Sequence, residues 1–70
     1  MVIFGNGVDK AKLFEIASKS NMKVEDSNTL NAIRVSQPVS PTHFIEVATE
    51  MGYTTELANA GALIVKEVNP

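Results

Sequence analysis

The chain has 70 residues, a formal net charge of −2 and no cysteine. That length makes one small domain, which buries only about 60% of its unfolded surface and needs help to be stable. Disulfides and thiolate metal sites are excluded by inventory, and no apolar run approaches the roughly 20 residues of a membrane helix.

Met1-Val2-Ile3-Phe4 is a short β-prone run that Gly5-Asn6-Gly7 stops. Asp9 is a helix N-cap, so the first helix begins at Lys10. Leu13, Ile16, Ala17 and Ser20 then recur at i, i+3, i+4, i+7 and share one face, which Phe14 widens. Asn21 can take the left-handed conformation that ends a helix. Residues 22–27 read as a weak strand, Asn28-Thr29 as a turn, and Leu30 to Ser36 as a stronger strand with Ile33 and Val35 opposite Arg34. Pro38 ends it. Ser40-Pro41 pairs an N-cap with a first-turn proline, so the second helix runs from Pro41 to about Met51 with Phe44, Val47, Ala48 and Met51 as its stripe. Gly52 stops it. Tyr53 to Leu57 is a fourth strand, Asn59-Ala60-Gly61 a turn, and Ala62 to Val68 a fifth strand with Leu63 and Val65 facing away from Ile64 and Lys66.

The chain also repeats itself. A shift of thirty-one residues places Val8 on Val39, Glu15 on Glu46, Ala17 on Ala48, Glu25 on Glu56, Asn28 on Asn59 and Ile33 on Ile64. The expected organisation is therefore a single domain, 1–70, of two pseudo-repeats, about 1–36 and 37–70. The element order β-α-β-β-α-β(-β) predicts a two-layer α+β sandwich of the ferredoxin-like kind, with both helices on one face of an antiparallel sheet. Its layout resembles that of RNA-recognition domains, small-molecule-sensing ACT domains and peptidoglycan-binding SPOR domains. No motif specific to any of them is present, and fold alone does not imply function.

Catalysis fails on inventory. There is no cysteine, one histidine and no Gly-x-Ser-x-Gly turn, so no enzyme and no cofactor is expected. His43, Glu46 and Glu50 could share a helix face, but solvated surface carboxylates are the ordinary reading and no metal site is expected. Gly5-Asn6-Gly7 lies between a strand and a helix start, where a small-molecule-sensing, ACT-like dimer could hold a ligand. The third glycine of the dinucleotide fingerprint and the Walker lysine are both missing.

The open sheet face is the more informative surface. Alternation places Ile3, Arg34, Ile64 and Lys66 outward, and puts Phe4 in the core with Val2, because the repeat sets Phe4 on Val35. An apolar face, an unusually apolar last strand offered as an edge, and a short chain without staples predict a non-catalytic protein-binding or regulatory module acting as a homodimer. Ile3, Arg34, Ile64 and Lys66 are its expected contact residues, with Tyr53 as an amphipathic anchor whose repeat mate Met22 suggests partial burial. The alternative is single-stranded nucleic-acid binding through Lys10, Lys12, Lys19, Lys23, Arg34 and Lys66. Against it stand the net acidity and the expected lack of an aromatic platform. Residues 1–35 carry five Lys/Arg against four acids, and 36–70 one against four, an asymmetry that could orient two copies. With no basic stretch followed by an apolar one at the start, no secretory signal is expected, and cytoplasm is the expected compartment.

Overall fold

The computed structural model describes residues 1–29, 31–36, 40–58 and 61–68. The strand-ending Pro38, the repeat match at Val39 and most of the Asn59-Ala60-Gly61 turn lie outside them. The elements are β1 (Val2–Asn6), α1 (Lys10–Lys19), β2 (Val24–Asp26), β3 (Ala32–Val35), α2 (Thr42–Glu50), β4 (Tyr53–Leu57) and β5 (Leu63–Glu67). No helix among the described residues is long and apolar enough to cross a membrane.

Local chemistry sets the boundaries. Asp9 caps α1, its Oδ1 accepting from the Lys12 backbone N–H at 3.0 Å. Asn21 ends α1 with φ 54°, and Gly52 follows α2 with φ 95°. The second helix starts one residue later than Ser40-Pro41 suggested. Pro41 is the cap residue and makes no side-chain cap bond, while Ser40 Oγ accepts from the Thr42 N–H at 3.3 Å. Strand β1 continues through Gly5 to Asn6, and the chain turns at Gly7 with φ 76°.

The α+β class and the two helices on one side of a single sheet are as expected. Leu13, Ile16 and Ala17 of α1 and Phe44 and Ala48 of α2 share one core with Ile3, Ile33, Val35, Leu63 and Val65. The wholly antiparallel sheet is not what forms. The strand order is β2-β3-β1-β5-β4, and β5 runs parallel to β1 while the other pairs are antiparallel. A ferredoxin-like layout would set the strand after the second helix directly beside β1. Here that strand, β4, takes the edge, and β5 returns by a hairpin to lie inside. Burial explains the choice. Leu63, Ile64 and Val65 gain most from neighbours on both sides, whereas Thr54 and Glu56 tolerate an edge. The last strand is therefore internal, and the edge expected there is absent.

The repeat has a structural meaning. Helix α1 with hairpin β2–β3 and helix α2 with hairpin β4–β5 flank β1 on its two sides. Because β3 and β5 run in opposite directions, a half-turn about the sheet normal through β1 relates the two units. Val24 faces Val35 and Asp26 faces Ile33; Thr55 faces Val65 and Leu57 faces Leu63. The offset of thirty-one thus holds through the helices and first hairpin strands and becomes thirty in the second. Ile33 corresponds to Leu63, and its match to Ile64 is not a structural equivalence.

Candidate functional site

The face of the sheet away from the helices is the candidate surface, and its layout follows from register. Phe4 at the centre of β1 lies between Ala32 of β3 and Ile64 of β5. Val2 is level with Arg34, and Asn6 with Lys66. Glu25 of β2 lies beside Arg34, and Glu56 of β4 beside Ile64. The result is an apolar centre of Phe4, Ile64, Ala32 and Val2 with an ion pair on either side. Arg34 meets Glu25 at 3.4 Å, and Lys66 Nζ donates to Glu56 Oε2 at 3.1 Å. All four side chains are about half exposed, so the pairs add little stability. Their effect is to make the face electrically neutral while displaying both signs.

One expected residue is misplaced and one was missed, for the same reason. Ile3 is fully buried, and Phe4 is 37% exposed, so the alternation of β1 is the reverse of the expected one. The run Met1-Val2-Ile3-Phe4 is apolar throughout and carries no period-2 signal. Gly5 held the signal that would have set it. A Cβ there would stand 2.0 Å from the Val8 carbonyl oxygen and 3.4 Å from Leu13. Position 5 therefore faces the core, where the chain folds back over it, and Ile3, two residues earlier, must face the same way.

Arg34, Ile64 and Lys66 are on the open face as expected. Tyr53 is on the other side, half-buried and packed against the core together with Met22, in keeping with the repeat. The six expected cations are not brought together. Lys10, Lys12 and Lys19 belong to α1, in the layer behind the sheet, and Lys23 precedes β2 at the edge. Lys10 ties α1 to the β2–β3 turn through Asp26 and the Ser27 carbonyl, and Lys12 lies 3.5 Å from Glu15.

At the end of the parallel strands a shallow open pocket of about 270 Å³ is lined by Asn6, Gly7, Lys66 and Glu67. Two of the three expected ligand-binding residues thus reach a concavity, while Gly5 serves the close approach of Val8. His43 Nδ1 stands 3.7 Å from Glu46 on the exposed side of α2, and no group of three potential metal ligands occurs among the described residues. The chain matches no protein-family model, no curated protein and no solved structure.

Proposed function

We propose that this chain is a non-catalytic protein-binding module that acts as a homodimer and docks a protein partner on the open face of its sheet. The observation that carries the reading is Phe4, an aromatic side chain 37% exposed at the centre of the middle strand, bordered by Ile64 and Val2 and flanked by matched ion pairs. An apolar centre inside a polar rim is the anatomy of a protein interface, and aromatic anchors near the middle carry most of the binding energy. The partner it fits has an apolar patch of its own, with charges of both signs around it.

A second reading, single-stranded nucleic acid, gains from the same residue, since Phe4 offers one base-stacking surface with Arg34 and Lys66 diagonally on either side. Charge weighs against it. Both cations are matched by carboxylates, and the chain is acidic.

Affinity capture with wild type and Phe4→Ser separates the two. The expected result is a stoichiometric protein that resists nuclease, survives a rise in salt, and binds the variant at least tenfold more weakly, in line with loss of a central anchor. Equal capture by Phe4→Ser would remove the open face from the account. Nucleic acid that dissociates between roughly 50 and 200 mM salt, with no protein, would establish the second reading instead.

A further inference from the structure

The two sheet edges are unequally protected. Strand β2 is three residues long and carries Glu25 and Asp26, with Asp26 held by Lys10. Short, charged edges resist pairing. Strand β4, Tyr-Thr-Thr-Glu-Leu, is five residues of mostly strong β-formers with one charge and no proline. It ends in Leu57, which is 64% exposed.

The hydrogen-bond parity of β4 is fixed. The Ala58 N–H donates to the Ala62 carbonyl at 2.8 Å, across from it in the register that pairs Leu57 with Leu63. Directly opposed residues that bond in this way alternate with pairs that do not. Glu56 and Thr54 therefore turn their backbone groups toward β5, and Tyr53, Thr55 and Leu57 turn theirs outward.

We propose that β4 pairs antiparallel with β4 of a second copy about a two-fold axis at Thr55, joining two five-stranded sheets into one. This gives the homodimer of the proposed function its surface, and it rests on that reading only for its biological use. In this register Thr55 faces its own copy and Tyr53 faces the partner's Leu57. All three outward-facing residues on each strand are paired, giving about six backbone hydrogen bonds. A two-fold centred on Thr54 or Glu56 also opposes outward-facing residues, but only two per strand, Tyr53 with Thr55 or Thr55 with Leu57, for about four bonds. The Glu56 axis also sets that carboxylate against its own copy. The side chains agree with the backbone. Exposed Leu57 comes beside the ring of Tyr53, and this happens twice. Thr55 meets Thr55, a favourable cross-strand pair, and the lone charge Glu56 meets Thr54, not another carboxylate. The axis is normal to the sheet, so both open faces stay on one side and the two Phe4 side chains stand about 24 Å apart, five strand spacings. The dimer then presents two partner-docking surfaces in one plane.

Sedimentation equilibrium and amide hydrogen exchange on the purified full chain test this without any partner. With rising concentration the chain should dimerise, and the amides of Tyr53, Thr55 and Leu57 should become slow together. Those of Thr54 and Glu56, bonded to β5 already, should be slow throughout. Leu57→Lys, at an exposed position, should leave the helical circular dichroism unchanged and raise the dimer dissociation constant at least tenfold. Thr55→Pro, which removes only an outward N–H, should do the same. A wild-type chain that stays monomeric at millimolar concentration overturns the proposal. So does a dimer indifferent to Leu57→Lys, or one lost instead with Phe4→Ser, which would assign the open face to the second copy. Failure to capture a partner on the open face leaves these readings untouched, so the two proposals fail separately.

Discussion

Gly5 and Gly61 are both glycines for physical reasons, and the reasons differ. At Gly5 a Cβ would meet the Val8 carbonyl oxygen at 2.0 Å and the Val8 carbonyl carbon at 3.0 Å. Backbone cannot rotate away as a side-chain tip can, so the β1–α1 connection must shift. Gly61 has φ 76° with nothing within 4 Å of its Cβ site, so a side chain there meets only the left-handed backbone penalty, about 1–2 kcal/mol. Gly5→Ala should therefore cost about 3 kcal/mol or more, near the upper range for single substitutions, and Gly61→Ala clearly less. Urea midpoints of the two variants check the order, and an equal or smaller loss for Gly5→Ala would show that the loop yields. At this scale the sequence was legible wherever polarity alternated. Arg34 between Ile33 and Val35 announced its face, and Lys66 after Val65 did too. Four consecutive apolar residues at the start of β1 announced nothing, and the parity of Ile3 and Phe4 was set by the space that Gly5 leaves for the returning chain.

Among the elements, the helices were the most readable because their signals are local. Apolar spacing gave the buried faces of both, and Asn21 and Gly52 gave their ends. The two N-termini are not equivalent, although the repeat aligns the helices. Asp9 accepts directly from the Lys12 N–H at 3.0 Å, whereas at the start of α2, among the described residues, the Thr42 N–H donates to Ser40 Oγ over a longer 3.3 Å. Loss of a formed cap costs about 1 kcal/mol. Asp9→Ala should lower stability by about that amount and Ser40→Ala by less, measured by thermal unfolding. Equal losses would mean that the Ser40 turn caps as well as Asp9 does. Strand order was less readable, since nothing within β4 or β5 states which of them lies inside. The contrast between Leu-Ile-Val in one and Thr-Thr-Glu in the other carried that information. It becomes decisive only when two neighbours for one strand are weighed against one for the other. The repeat hid a further detail: the hairpin of the second unit closes one residue sooner, so identities at a constant offset stop tracking structure beyond the turn.

For the whole molecule, the consequence of the near two-fold arrangement is that β1 belongs to both halves. It supplies the inner neighbour of β3 on one side and of β5 on the other. Each helix–hairpin unit alone would leave an inner strand unpaired and half of the common core exposed. Ile3 of β1, Leu13 and Ile16 of α1 and Phe44 of α2 are fully buried in that one core, so neither unit has an interior of its own. A chain this short has little stability to divide. Unfolding should therefore be a single two-state transition in which both units are lost together. Tyr53, the only tyrosine in a chain without tryptophan, reports on the second unit through its fluorescence. Exchange of the Ile16 and Ala17 amides reports on the first. Urea titrations followed by the two probes should give the same midpoint and the same free energy. The agreement should persist in Leu57→Lys, where the chain is held monomeric and dimerisation cannot couple the units. Two separated midpoints would show that a helix–hairpin unit stands without β1, and the repeat would then mark two folding units instead of two halves of one.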